Sequence, residues 1–476
     1  IKMRISGTNG TSGAHDEGSV RFTGLTGTAA VTDSLIEGGY EDNVAVLNSS
    51  GTLDRITFDG NTFGQNVAGN SSNDALFIQA RGTAVLKATL NNNDFTGAGG
   101  DIFQFDLGDS ASADLQITGN RFDNTHPNTA AGGGGLTITT QQAGVLTYTI
   151  TGNTLRGAKG TALAVGKIFG QPSTATAVGR IENNTIGVTG VANSGSSEGS
   201  GIEVSAGGGG AHTTLIKGNQ IRRYTNYGIH VIAGGSSQAA TGETHDAALN
   251  ATIQANTIAE PNALPGGFPQ NGLHLNAGTN SSGGEDAYQI CLDIGSASLP
   301  ALRNTLHGSG ASDGTDFRLR QRFSTTVRLP GYTGTSTDVA GVVSYVQGRN
   351  NNPGSTTGGA VTGNGGGFQG TAGGAACAQP PAAGGAIVAN HPAPGGSTGS
   401  PCPAIGAASP APRCLSPGTA PGGPRTPAPG IAAARPGGPT SAAGRGSGRP
   451  APLALWEDRR AALRRRPVAA PSPANS

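Results

Sequence analysis

One short pattern recurs along this chain and restricts what it can fold into. A strand-like stretch ends in an apolar residue, followed by two residues, an asparagine, one residue and a second apolar side chain. Clear copies are Leu90-Asn91-Asn92-Asn93-Asp94-Phe95, Ile117-Thr118-Gly119-Asn120-Arg121-Phe122 and Ile150-Thr151-Gly152-Asn153-Thr154-Leu155. Further copies centre on Asn184, Asn219 and Asn256, with weaker ones at Asn61 and Asn304. The spacings from Asn61 onward are 32, 27, 33, 31, 35, 37 and 48 residues. A motif that holds while its spacing varies describes units of one kind joined by loops of different length.

A second element precedes most of these asparagines, a short strand with apolar residues flanking a central one. Copies are Val44-Ala45-Val46, Leu76-Phe77-Ile78, Phe103-Gln104-Phe105, Leu136-Thr137-Ile138, Leu163-Ala164-Val165, Ile202-Glu203-Val204, Ile229-His230-Val231 and Leu273-His274-Leu275. Alternation puts the flanking aliphatics on one face and the middle residue on the other. A single unit cannot bury its apolar face, and stacking solves that. Strands of successive units then pair in parallel at about 4.8 Å. The asparagine suits a turn with left-handed backbone geometry, and its amide can bond to the units above and below as a ladder.

Composition agrees. Glycine is 82 of 476 residues, against a usual share of about 7%. Charged residues are 12% and aromatics 4%, and leucine and glutamate are too sparse and glycine too dense for a helical bundle. No Gly-X-Y period indicates collagen, and no apolar run approaches the ~18 residues of a membrane span. A β-sandwich with regular turns would not repeat an asparagine turn at matching positions. The expected fold is all-β, a parallel β-helix solenoid.

The repeated Gly-Asn-x-apolar units resemble the right-handed parallel β-helix of the pectate-lyase-like superfamily, and in particular bacterial β-helix-repeat surface and secreted proteins. The resemblance covers residues 30 to 325. It implies an extracellular or cell-surface location and a polysaccharide or cell-surface glycan as partner. Calcium is implied by the resemblance only, since no cofactor is evident in the residues. That fold hosts lyases, hydrolases and adhesins alike, so it specifies architecture better than activity.

The two ends obey different rules. Up to Gly370 there are 20 Lys/Arg against 27 Asp/Glu; from Thr371 there are 10 Arg, no Lys and 2 acids. Residues 1–30 read as incomplete N-terminal rungs, and Ile1 as the start of a fragment. Residues 31–314 read as the β-helix. Residues 315–349 read as a C-terminal cap, with an alternating Arg-faced strand (Phe317 to Phe323) and a short helix from Val339 to Gln347 capped by Asp338 or Thr337. The Arg cluster could instead grip an anionic partner. Residues 350–476 read as a disordered low-complexity tail, and its lysine-free arginines also fit an out-of-frame reading of GC-rich DNA. No aromatic interleaving supports nucleic-acid binding there, and no oligomeric state follows from the sequence.

Four cysteines, Cys291, Cys377, Cys402 and Cys414, form no CxxC pair and give zinc no support. Cys291 reads as a buried small hydrophobe, and a Cys402–Cys414 disulfide is open. No phosphate loop, nucleophile elbow or EF-hand is present. One constellation stands out. The outward middle residues of the last three well-marked strands are Glu203, His230 and His274. If their rungs are adjacent, they form a column at about 5 Å steps, and a carboxylate beside imidazoles can do acid–base work. The next outward column holds Asp106, Thr139, Ser205 and Asn276, candidates for ligand contact. No calcium-binding acidic cluster or lyase arginine base can be mapped, and no set of Asp residues facing one another across neighbouring rungs is evident. Asp109 and Asp114 read as loop.

The expected function is therefore structural or adhesive, with a long face presented to glycans. The alternative is a polysaccharide lyase or glycoside hydrolase acting at Glu203, His230 and His274. A third reading is an inert passenger segment of a large exoprotein.

Overall fold

The computed structural model describes residues 3–6, 18–67, 73–167, 173–234, 245–263, 269–278, 287–306, 308–311, 314–351, 358–363 and 367–382. All fall in one compact unit that runs to His391. Cys402, Cys414 and the Arg-rich stretch from Trp456 to Arg466 lie outside the described residues.

The described chain coils through three parallel sheets. Sheet A has nine two- or three-residue strands, from Arg4–Ile5 to Thr257–Ile258. Sheet B has eleven, from Val20–Thr23 through Leu76–Ala80, Ile202–Ala206, Tyr227–Ala233 and Asn271–Ala277 to Gly359–Thr362. Sheet C also has eleven, from Gly27–Thr32 through Val145–Thr151 to Phe368–Gly370. Each strand pairs with its counterpart one rung away, so the protein is a parallel β-helix. Sequence patterning resolved two strands per rung. The third is the short sheet A strand formed after the asparagine turn, as in Thr62–Phe63 and Asp94–Phe95.

Stacking explains the core. Residues that alternate inward lie over like residues, for example Leu76, Phe103, Leu136, Leu163, Ile202, Ile229 and Leu273, all fully buried. After the turn, Phe63, Phe95 and Phe122 stack with ring centroids 4.5 and 4.7 Å apart. Such offset aromatic stacks add about 0.5–1.5 kcal/mol per pair beyond area burial.

At the turn, the Asn61 backbone N–H and Nδ2 both donate to Asn93 Oδ1, each at 2.9 Å. The same pair of bonds links Asn93 to Asn120, Asn120 to Asn153, Asn153 to Asn184, Asn184 to Asn219, Asn219 to Asn256 and Asn256 to Asn304. A ninth member, Asn350, accepts from Asn304. Each Nδ2 also donates to a carbonyl of the preceding rung, as Asn93 does to Phe58. The left-handed residue is not the ladder asparagine. It is the residue before it, Gly60, Asn92, Gly119, Gly152, Asn183, Gly218 or Ala255. The amide matters for its two-sided bonding, and backbone freedom is required one position earlier.

The C-terminal boundaries need correcting. Strand Phe317–Gln321 pairs on one side with Leu273–Ala277 and on the other with Gly359–Thr362, so it is a further rung and not a terminal cap. The stack continues beyond residue 350 to Phe368–Gly370, which pairs with Thr326–Leu329. Glycine-rich sequence hid these strands, because Gly359 leaves room for the Phe317 ring where a Cβ would meet Cζ at 2.0 Å. The helix Val339–Arg349 is capped by Asp338, whose Oδ1 accepts from Gly341 N at 2.8 Å. It buries Val342 and Val346. The 31 boundary falls inside strand Gly27–Thr32. Asp114 lies in strand Ser112–Thr118 and pairs with Arg55 at 2.8 Å.

Cys291 is not a buried hydrophobe. It points outward on Gln289–Ile294, half-buried, and is disulfide-bonded to Cys377 with a Cα–Cα distance of 5.6 Å. Sequence spacing gives no hint of this pairing, because Cys377 lies beyond the last strand and returns across sheet C.

Candidate functional site

Sheet B carries the candidate column. Glu203 pairs in register with His230, His230 with His274, and His274 with Arg318. At about 4.8 Å per rung, four polar side chains stand in one outward row. The neighbouring row runs Ser205, Ile232, Asn276 and Arg320. Gly228 lies within the His230 strand, two residues before His230, packed so tightly that a Cβ would meet Ile258 Cγ2 at 2.2 Å.

The two imidazoles are stacked, with centroids 5.2 Å apart and planes 2° from parallel. Tyr227 leans on both, 4.5 Å from His230 and 4.3 Å from His274 between ring centroids. A carboxylate can only accept, so His230 Nδ1–H donates to Glu203 Oε2 at 3.0 Å. That bond fixes the tautomer and leaves Nε2 with a lone pair in the neutral ring. His230 Nε2 and both ring nitrogens of His274 are buried without a protein partner. Buried polar atoms are normally paired, so three orphans in one stack mark a place where something else bonds.

Electrostatics set the protonation. Burial holds His274 well below the ordinary imidazole value, and His230, Arg318, Arg320 and Arg322 push it the same way. Burial raises the Tyr227 phenol, with Arg318 and Arg320 opposing and Glu203 reinforcing that rise. Arg318 and Arg320 are half-buried and make no hydrogen bond or ion pair to the described residues. Arg322 is used differently, donating from Nη2 to Asn276 Oδ1 at 2.8 Å and to the Gly278 carbonyl at 2.5 Å. The site therefore combines a stacked imidazole pair with unsatisfied ring nitrogens and two uncommitted guanidinium groups.

The second expected row does not converge on it. Asp106 lies three rungs from Ser205. It accepts from Thr139 Oγ1 at 2.5 Å and faces Arg81 Nη2 at 3.7 Å. Ser205 leans over Gly166, where a Cβ would meet its Oγ at 2.0 Å. Asn276 is held by Arg322. No solved structure matches this chain, no curated protein matches it, and no family model matches it. The site must therefore be read from its own chemistry.

That chemistry does not fit calcium, which prefers six to eight oxygen ligands. The column offers one carboxylate, already bonded to His230. Nor can one soft ion bind both imidazoles, since parallel rings direct their lone pairs into separate planes. Among the described residues no group of three His, Cys, Asp or Glu side chains is arranged for a metal.

A set of aspartates does stack across neighbouring rungs, contrary to the sequence expectation. Asp42 Oδ1 accepts from Asp74 N at 3.1 Å, and Asp74 Oδ1 from Asp101 N at 2.7 Å. Spacing hid them because they sit in the turn leading into sheet B. Asp42 and Asp74 bond the main chain of the next rung, whereas the ladder asparagines bond that of the preceding one, and Asp74 is fully buried. Burial first, then Asp42 and Asp101, raises its carboxyl well above the ordinary value. This row supports the turn.

Sequence reasoning missed Tyr227, Arg318 and Arg320. Tyr227 would point inward by strict alternation from Ile229; it turns outward at the start of its strand. The arginines were visible but were assigned to a cap instead of the next rung.

Proposed function

We propose that this chain is the β-helical part of a secreted or cell-surface bacterial β-helix-repeat protein of pectate-lyase-like architecture, and that its sheet B face binds an acidic polysaccharide. The observation that carries this reading is the row from Glu203 to Arg318. Two uncommitted arginines supply charge for a carboxylate or sulfate ester. The adjacent unsatisfied imidazole nitrogens supply bonds for sugar hydroxyls. The Cys291–Cys377 disulfide supports an oxidising, extracellular setting. A repetitive flat sheet suits an extended polymer, which fits an adhesive or structural role.

A second reading is favoured by the Glu203–His230 bond. A neutral His230 Nε2 or His274 could take the proton next to a sugar carboxylate while Arg318 and Arg320 balance the developing charge. The C–O bond to the next sugar would then break, its oxygen receiving a proton from an acid such as Tyr227, and a C=C bond would form. This is elimination, and it requires no metal in the row.

The test is to screen the chain against polygalacturonate, alginate, chondroitin sulfate and a neutral xylan, following both binding and unsaturated products. The expected result is salt-sensitive binding of acidic polymers that Arg318→Ala/Arg320→Ala weakens about tenfold or more. Equal binding of xylan, or none of any polymer, overturns it. Unsaturated products lost in His230→Ala/His274→Ala, with binding retained, make the protein a lyase.

A further inference from the structure

Sheet C carries a departure from alternation that the glycan site does not explain. In strands Ala211–Lys217 and Ala248–Gln254, Leu215 and Thr252 occupy outward positions in register with each other. Both are nevertheless buried, at 4% and 0% exposure. Their row continues directly to Arg180 on one side and to Asp293 on the other. Something must cover them.

The chain after the last strand crosses this strip. Past Gly370 it makes a single 3-10 turn, Ala372–Gly374, and then runs without regular structure. Cys377 is joined to Cys291, which is in register with Asn250, Thr213 and Val178. Four residues on, Arg180 Nε donates to the Pro381 carbonyl at 2.8 Å and Nη2 to the Pro380 carbonyl at 2.9 Å. Cys291 and Arg180 stand three rungs apart, about 14 Å at the strand spacing. Four extended residues span about 13 Å, so the segment lies along the stack axis, across the strands. Cys377 and Pro380 are buried while their neighbours Ala376, Ala378 and Pro381 face solvent.

We infer that residues 375–381 are a redox-released strap. Oxidised, the disulfide fixes one end on the strand Gln289–Ile294 and Arg180 clasps the other, so the strip at Leu215 and Thr252 stays closed. A dithiol reductant passes two electrons and two protons to the S–S bond and becomes a disulfide itself, leaving two thiols. Among the described residues, the strap's remaining hydrogen bonds to sheet C are then those from Arg180, which water can replace because that side chain borders solvent. It lifts, and the neutral strip of sheet C becomes a bare face, separate from the row on sheet B.

Hydroxyl-radical footprinting of the full chain, read by mass spectrometry at Leu215, tests this. Leu249, inward on the strand beside it and fully buried, serves as the control for an intact helix. Expected results are a protected Leu215 in the oxidised protein and several-fold greater labelling after reduction or in Cys377→Ser, with Leu249 protected throughout. Arg180→Ala should give an intermediate rise with the disulfide intact. Leu215 labelled in the oxidised protein overturns the strap. Leu215 still protected when alkylation shows both thiols free overturns its release by reduction. Should Cys377→Ser expose Leu249 as well, reduction of the wild-type protein decides between the same two results.

Discussion

Ala255 occupies a left-handed backbone position, with φ of +56°, directly before ladder residue Asn256. On the six preceding rungs that place is held by glycine or asparagine. A Cβ there costs about 1–2 kcal/mol. Ala255→Gly is therefore expected to raise the denaturation midpoint, by about 1 kcal/mol after the added flexibility of the unfolded chain is subtracted. Asp74 offers a second gain. Its Oδ2 is buried without a partner, and burial beside Asp42 and Asp101 raises its carboxyl value. The folded state thus holds this proton more tightly than the unfolded chain does. Its contribution is fully present below the unfolded value and is lost as pH rises through the folded one. Asp74→Asn keeps the Oδ1 acceptor for Asp101 N and removes the charge. It should stabilise by about 1–2 kcal/mol at pH 7, with the advantage shrinking toward about pH 4. Urea midpoints at the two pH values check it.

At the scale of one strand, Gly179 is set by what lies beside it. Tyr148, Gly179 and Thr214 follow one another along an inward row of sheet C. The Tyr148 ring fills the space over Gly179, where a Cβ would meet its Cγ at 2.4 Å. From there its hydroxyl reaches Thr214 Oγ1 at 2.8 Å and His212 Nε2 at 2.9 Å, all inside the helix. Gly179→Ala is expected to cost about 2–3 kcal/mol through overpacking. Combined with Tyr148→Ala the loss should be somewhat smaller than the sum, because the ring is removed while the Tyr148 carbonyl, which a Cβ would meet at 2.3 Å, stays; equilibrium unfolding of the two singles and the double measures it. Elements of this kind separate what was legible in the sequence from what was not. The asparagine spacings and the apolar-x-apolar strands exposed sheets B and C and the stacking of Glu203, His230 and His274, because alternation and ladder bonds are local and periodic. The last rungs were hidden, since Gly359 and Gly370 make strands by pairing, with no side-chain pattern to announce them. Tyr227 escaped because its direction depends on a break in alternation at a strand start. Cys377 escaped because its partner is 86 residues away.

Across the molecule, each strand pairs only with its counterparts on the adjoining rungs, so stability is carried largely by a line of interfaces and ends fray first. The disulfide alters that line at one end by tying the segment after the last strand to Gln289–Ile294. Closing a span of 86 residues is worth up to about 4.5 kcal/mol by chain entropy. Reduction should lower the thermal midpoint, and hydrogen exchange should rise in Gln289–Ile294 and Thr326–Leu329 before Val145–Thr151. Exchange rising uniformly along the stack would show that the bond does not act on the end rungs alone. The row on sheet B lies within a few rungs of that end, so oxidising conditions also support the face assigned to glycan.

That face rests on the register that brings His274 between His230 and Arg318, and an NMR titration of the His274 ring measures it most directly. With the two imidazoles stacked in a buried row beside Arg318 and Arg320, His274 should remain neutral well below an ordinary midpoint of about 6.5. Arg318→Ala should move its midpoint upward, since one of the charges opposing protonation is removed. A midpoint near the ordinary value, unmoved by Arg318→Ala, would mean that the row is not assembled as described.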